Sequence, residues 1–206
     1  MTTTETEKLT LLGAIEAMAA EAPEEGLTLH EITDRLDERA FGALLFVLAL
    51  PVSIPFLYGV PQVVAVPMLA LVAQMVLGRA EPWLPASLAR RTVGKSGLEQ
   101  MARGSRKWFG WLERFARPRL TFLASAPAER IIGLFLLAFC CSILIPLPAT
   151  NTMPGIAVAI VSFGLLARDG LLILPGLLLG SAWITGLILV GDRLTDVIRT
   201  FVSNLF

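Results

Sequence analysis

The sequence predicts an all-α membrane protein: about five apolar segments, some of them re-entrant, form two repeated helical hairpins plus a final span, with an amphipathic interfacial helix between the repeats. Three observations lead there. Of the 206 residues, 55% are apolar and 17% charged, and the mean hydropathy is +0.71. A soluble chain carries about a quarter of its residues as charges, so this one would leave too much apolar surface for water. The charges are also segregated. Residues 1–39 hold ten Asp/Glu against Lys8, Arg35 and Arg39, and residues 79–130 hold eleven Lys/Arg against Glu81, Glu99, Glu113 and Glu129. Residues 40–78 and 131–167 carry no charge at all, each near the length of two passes at ~20 residues apiece.

Residues 1–39 read as an acidic cytoplasmic lead-in of two short helices. Leu9, Leu12, Ile15 and Met18-Ala19 follow the i, i+3, i+4 spacing of one apolar face, and Ala22-Pro23-Glu24-Glu25-Gly26 ends that helix. Thr28 followed by Glu31 has the form of a capping box, the hydroxyl serving the third backbone N–H and the carboxylate reaching back. Leu29, Ile32 and Leu36 carry the next stripe. His30, the one histidine, falls in that capping turn and reads as an exposed helix start rather than a ligand. Met1 to Lys8 is polar and acidic, without a basic or apolar leader region, so no cleavable signal is expected.

Residues 40–78 form the first membrane hairpin, which Pro51, Pro55, Gly59 and Pro61 divide into segments 41–57 and 61–78. At 1.5 Å per residue the first is about 25 Å long. That is short of a ~30 Å hydrocarbon core, and with two internal prolines it predicts a broken or re-entrant helix. Residues 79–130 form a basic linker. In it, Glu81-Pro82-Trp83-Leu84-Pro85 reads as an interface anchor, since Trp prefers the headgroup level. Along 97–117, Leu98, Met101, Trp108, Phe109, Leu112 and Phe115 share one helical face, with Glu99, Arg103, Arg106, Lys107, Glu113, Arg114 and Arg117 opposite. Such a helix lies flat on anionic lipid; the alternative is packing on protein. Residues 131–169 form the second hairpin, with segments 131–147 and 153–167 around a break from Pro146 to Gly155. Residues 170–191 make the last transmembrane helix and 192–206 a C-terminal tail.

The two hairpins resemble each other. Glu38-Arg39-Ala40-Phe41-Gly42 answers Glu129-Arg130-Ile131-Ile132-Gly133 at an offset of 91, where Pro55 also meets Pro146. Further on, Val60-Pro61 answers Met153-Pro154, and Leu77-Gly78-Arg79 answers Leu166-Ala167-Arg168. Repeated halves with interrupted segments at matching positions point to a site between the repeats. Lys and Arg concentrate on the cytoplasmic side of span ends, so the basic linker and the N-terminus are expected there. Both hairpins then enter from that side as a parallel repeat, with an inverted repeat as the second choice.

Inside the apolar segments there is no Asp, Glu, Lys, Arg or His, so the usual mark of a proton relay is missing. With no histidine near Ser53, Ser142 or Ser181, no nucleophile–base pair forms, and no phosphate loop or metal set is present. Neither an enzyme nor a cofactor is expected. Adjacent Cys140 and Cys141 read as small membrane-buried residues, not a disulfide. Polar groups gather at the breaks: Ser53, Tyr58, Gln62 and, deeper, Gln74 in half one, and Ser142, Thr150, Asn151 and Thr152 in half two. Pro61 and Pro154 suit a first helical turn, and exposed helix N-termini there attract anions. Arg39 and Arg130 stand where the apolar runs begin, as snorkelling anchors or as cations for an anionic substrate. The candidate substrate- or lipid-binding residues are therefore Ser53, Pro61, Gln62, Asn151, Thr152, Pro154, Arg39 and Arg130. Gly176 and Gly180, echoed by Ala182 and Gly186, make a small-residue face for close packing within the chain or across a homodimer.

Glu38-Arg39-Ala40-Phe41-Gly42-Ala43-Leu44-Leu45, Leu48-Ala49-Leu50-Pro51, Ile54-Pro55, Gly59-Val60-Pro61 and Leu77-Gly78-Arg79-Ala80-Glu81-Pro82-Trp83-Leu84-Pro85 resemble the ExoD family over about residues 7–195. The resemblance implies a multi-pass protein of the bacterial inner membrane tied to exopolysaccharide synthesis, a process rather than a reaction. The expected role is binding or moving a lipid-linked or anionic substrate at the paired broken helices. The alternative is a membrane scaffold that recruits polysaccharide-synthesis enzymes. The expected partners are membrane lipids, a lipid-linked saccharide and a second copy in a homodimer, with no nucleic acid.

Overall fold

The computed structural model describes residues 11–55, 57, 59–100, 102–103, 119–145 and 151–203; Tyr58, Thr150 and residues 104–118 of the amphipathic stretch lie outside them. The described residues are helical but for one short strand pair. In chain order they form α1 (Leu11–Glu21), β1 (Leu27–Thr28), α2 (Leu29–Leu36), a 3-10 turn at Asp37–Arg39, α3 (Ala40–Val52) and α4 (Val60–Val76). Then come α5 (Ala86–Ala89), β2 (Thr92–Val93), a 3-10 turn at Thr121–Ala124, α6 (Ala126–Ile143), α7 (Thr152–Ala167) and α8 (Gly170–Ser203). Residues 95–100 and 102–103 are helical as well. By length and composition, α6 and residues Gly170–Arg193 of α8 are apolar enough to cross a membrane, and α3, α4 and α7 are shorter apolar helices.

The acidic lead-in and the basic linker fold together. β1 pairs antiparallel with β2, Leu27 opposite Val93 and Thr28 opposite Thr92. Around this ribbon Met18, Ala19, Ala22, Leu27, Leu98 and Ala102 form a small core of their own. The start of the amphipathic stretch thus packs on protein and not on lipid, since Leu98 and Ala102 are spent against α1. One ion pair crosses the same contact, Lys95 3.0 Å from Glu24, while Arg35, 3.8 Å from Glu21, ties the two lead-in helices to each other. The capping box forms as expected: the Glu31 N–H donates to Thr28 Oγ1 at 3.2 Å and the Thr28 N–H to Glu31 Oε2 at 2.7 Å. His30 is exposed, its Nδ1 3.2 Å from Asp34.

The apolar helices form a ring in which α3 touches α7, α7 touches α6, α6 touches α4 and α4 returns to α3; α8 packs on α7 and α6 from outside. Side chains from all of them meet in one core, with Leu45, Val52, Met68, Val72, Leu136, Ile143, Val158 and Val161 fully enclosed. Tight approaches fix the directions. A Cβ on Gly42 would meet Ser162 and Leu166 of α7, whereas one on Gly155 would meet Val52 and Ser53, so α3 and α7 run antiparallel. A Cβ on Gly133 would meet Met75 and Val76, so α6 and α4 are antiparallel too. Each hairpin therefore packs its first helix on the second helix of the other, and both hairpins point the same way. Glycine at these contacts lets the helix backbones approach closely.

The prolines set where the helices stop. Pro51 has no N–H to give, and Pro55 biases Ile54 away from the helical region, so α3 ends at Val52, five residues before the segment end read from sequence. At 1.5 Å per residue α3, α4, α7 and α6 are about 20, 26, 24 and 27 Å long. The last helix differs from expectation in the other direction. No break separates span from tail, and α8 continues through Asp192 and Arg193 to Ser203.

Both hairpins end alike. At the end of α4, Gly78 takes φ 75, its N–H reaches the Met75 carbonyl at 3.0 Å and the Arg79 N–H reaches the Gln74 carbonyl at 3.1 Å. At the end of α7, Arg168 takes φ 53, its N–H reaches Leu165 at 3.1 Å and the Asp169 N–H reaches Gly164 at 2.9 Å. These are two Schellman motifs. They align Gly78 with Arg168 and Arg79 with Asp169, one residue away from the pairing read from sequence.

Candidate functional site

The directions above put both chain breaks at one end of the ring, after Val52 and Ile143 and before Val60 and Thr152. The opposite end gathers the charged boundaries: Arg39, Arg79, Glu129-Arg130 and Arg168-Asp169. The eight candidate residues therefore separate. Ser53, Pro61, Gln62, Asn151, Thr152 and Pro154 come together at the break end, while Arg39 and Arg130 stand at the other, roughly one α4 length or ~26 Å away.

At the break end both second helices begin without a side-chain cap. Gly59, with φ 80, precedes α4 and Asn151 precedes α7, and neither makes a capping hydrogen bond. Pro61 falls in the first turn of α4 and Pro154 in that of α7, each buried. Among the described residues no N-cap side chain meets the first N–H groups of either helix, and such ends favour negative or hydrogen-bond-accepting groups.

The polar side chains here divide into satisfied and unsatisfied. Ser53 Oγ donates to the Ala49 carbonyl at 2.8 Å and Ser142 Oγ to the Phe139 carbonyl at 2.7 Å, so both are occupied by their own helices. Gln62 Oε1 and Asn151 Oδ1 are buried and have no hydrogen-bond partner among the described residues. The indole Nε1 of Trp183 shares that condition. Gly180 of α8 lies against Phe139, so Trp183, a turn further on, comes level with the same end. An unmade hydrogen bond on a buried group costs about 1–3 kcal/mol, and buried polar groups in folded proteins nearly always have a protein or water partner. Trp183 escaped the sequence reading. Its signal was an indole well inside a long uncharged run, away from the flanking charges where Trp usually lies in apolar helices.

Other polar residues turn out to be structural. Gln74, read from sequence as part of the break, is at the charged end: the Trp83 N–H donates to its Oε1 at 2.6 Å and its Nε2 donates to the Trp83 carbonyl at 3.2 Å. That amide clamp ties the Trp83-Leu84-Pro85 turn to α4. The Gly176 and Gly180 face is consumed within the chain, against Ala157 and Val161 of α7 and Phe139 of α6. Cys140 and Cys141 are free thiols. A depression of about 480 Å³ lies in the lead-in unit between Glu16, Lys95, Glu99 and Arg103, far from the breaks. Among the described residues no three His, Cys, Asp or Glu side chains gather as a metal site.

Comparison with known proteins agrees with the sequence resemblance. The family model described as "Exopolysaccharide synthesis, ExoD" matches residues 11–189. An uncharacterized protein of Synechocystis sp. is 30% identical over 182 residues, covering 86% of this chain and 82% of that protein. Protein ExoD of Rhizobium meliloti is 34% identical over 155 residues, covering 73% of this chain and 64% of its own length. The chain thus spans just under two thirds of that second relative. No solved structure matches.

Proposed function

This chain belongs to the ExoD family, and from that premise we propose that it is a multi-pass inner-membrane protein that supports exopolysaccharide synthesis or export by binding, and moving, a lipid-linked saccharide at the break end. The observation that carries the reading is the pairing of two helix N-termini lacking a side-chain cap with the buried amide oxygens of Gln62 and Asn151, unpartnered among the described residues, at one end of the ring. Helix N-termini attract the phosphate of a lipid-linked sugar, and buried amide and indole groups suit its hydroxyls. The outward faces favour lipid as surroundings: Val63, Leu77, Leu178 and Val190 are 73%, 78%, 71% and 68% exposed within the uncharged runs 40–78 and 170–191. A soluble monomer rarely shows more than a few hundred Å² of contiguous apolar surface. The helices of the ring are also shorter than a ~30 Å hydrocarbon core, which would bring the breaks below the headgroups of one leaflet, where unpaired backbone must face protein or water. The matched caps and glycine contacts favour a parallel repeat about an axis along the helices.

The test is mass spectrometry of the detergent-purified full chain. A retained polyprenyl-linked or glycolipid species is expected, lost in Gln62→Leu with Asn151→Leu. Finding none in the native protein would overturn the proposal. A second reading, a scaffold for synthesis enzymes, is favoured by one observation, the folded lead-in unit that joins residues 11–39 to 86–103. If scaffolding is the role, removing residues 97–117 abolishes polysaccharide output while the Gln62 and Asn151 substitutions leave it intact.

A further inference from the structure

The two Schellman corners at the charged end have the same backbone but opposite electrostatics. In the second corner, Arg168 holds the left-handed position and Asp169 follows it. Asp169 is 1% exposed and its Oδ1 accepts the Leu171 N–H at 3.0 Å, capping the start of α8. Arg39, Arg168 and Asp169 all have interaction partners. This corner carries its own carboxylate.

In the first corner the matching residues are Gly78 and Arg79. α6 brings Arg130 in from the second half, and its guanidinium lies directly against Gly78, where any Cβ would collide with Nε, Cζ and Nη2. Gly78 is needed twice here, for its positive φ and for the space the guanidinium takes. Arg79 is the next residue along the chain. Both arginines are exposed, and neither has a carboxylate partner among the described residues. An arginine stands where the other corner has its aspartate, and it directly follows the glycine against which the Arg130 guanidinium lies. The Gln74–Trp83 clamp holds the flanking turn, and Trp83 is 60% exposed beside it, as an indole at the headgroup level would be.

From this asymmetry we infer that the Gly78–Arg79–Arg130 corner is an anion site that takes a phosphate group, with Arg79 and Arg130 as its two forks. Planar guanidinium groups suit phosphate oxygens through paired N–H bonds. The corner lies at the end of the ring opposite the breaks and does not depend on the saccharide reading. Together the two would give a lipid-linked phosphate a contact at each end of the ring. The phosphate is that of a membrane lipid headgroup or of a soluble phosphate compound, two sources of one chemistry.

The experiment uses the full chain in detergent and in nanodiscs. One arm titrates inorganic phosphate by calorimetry; the other counts lipids retained in native mass spectrometry from phosphatidylcholine nanodiscs with and without phosphatidic acid. Saturable binding in the first arm assigns a soluble anion, and selective retention of phosphatidic acid assigns a headgroup. Charge-assisted hydrogen bonds contribute about 1.5–3 kcal/mol, so Arg79→Asp, which copies the other corner, is expected to weaken binding by about ten- to a hundredfold. Arg79→Lys and Arg130→Lys keep the charge but lose the fork and should fall between. Thermal unfolding identifies any variant that fails to fold, in which case the lysine variants carry the test. Arg90→Gln with Arg91→Gln removes exposed charge elsewhere on the linker and should leave binding intact. No binding in either arm overturns the inference, and so does an equal loss in the Arg90/Arg91 variant.

Discussion

Gly42 and Gly133 occupy matching places in the two halves, yet substitution should affect them unequally. In Gly42→Ala the new methyl lands 2.8 Å from the Leu166 backbone N and 2.9 Å from the Ser162 backbone O. Backbone in the last turns of α7 yields only if α3 moves away. Overpacking of this kind costs about 1–3 kcal/mol, while alanine regains roughly 1 kcal/mol of helix propensity. The net expectation is a loss of about 1 kcal/mol, or ~2–4 °C in thermal midpoint for a chain of this size. In Gly133→Ala the nearest atom, at 2.9 Å, is Val76 Cγ2, the end of a side chain, and the Val76 backbone N is 3.4 Å away. A rotation of Val76 relieves that contact, so the propensity gain roughly cancels the strain and the midpoint stays near that of the parent. Thermal unfolding of the detergent-solubilised chain, followed by near-UV circular dichroism, reads both. Should Gly133→Ala lower the midpoint as much as Gly42→Ala, the distinction between rigid backbone and yielding side chain is wrong, and with it the cross-packing that places both breaks at one end.

Two further outcomes follow from single contacts. Gln74→Ala removes both hydrogen bonds to the Trp83 backbone and should destabilise the turn by about 1–2 kcal/mol, seen as a lower midpoint and a shifted Trp emission; unchanged values would deny the clamp. The Thr28 backbone N–H, then its hydroxyl, hold the Glu31 carboxyl below its ordinary value. A depressed carboxyl contributes stability that is present above its unfolded pKa and lost as pH falls through the folded one. The stability gap between parent and Thr28→Ala, measured by proteolysis of the lead-in, should therefore narrow on acidification below the usual carboxylate range; a gap independent of pH contradicts the capping box.

Much of the fold was legible because it rests on local chemistry. The Thr28–Glu31 box, the first-turn positions of Pro61 and Pro154, and the end of α3 near Pro51 and Pro55 depend on neighbours within one turn. Charge segregation and the lengths of the uncharged runs marked the apolar helices, and the Gly-Arg-x-x-Pro-Trp-Leu-Pro stretch carried the family resemblance. What misled was similarity of type. Leu98 belongs to an amphipathic pattern that fits lipid and protein equally, and only its contact with α1 distinguishes the two. Gln74 reads like Gln62 along the chain, but one is satisfied by Trp83 and the buried Oε1 of the other has no partner among the described residues.

The sequence alone determined that the uncharged segments become helices broken at proline, that polar groups gather at those breaks, and that basic residues flank them, because each is set by backbone sterics or by the cost of moving charge out of water. Which groups would face one another was decided by tertiary packing. Glycine contacts between helices distant in sequence send Arg39 and Arg130 to the end opposite Gln62 and Asn151, and lay Arg130 across Gly78. No local pattern encodes that placement, because it follows from how closely two backbones approach, and that depends on both surfaces at once.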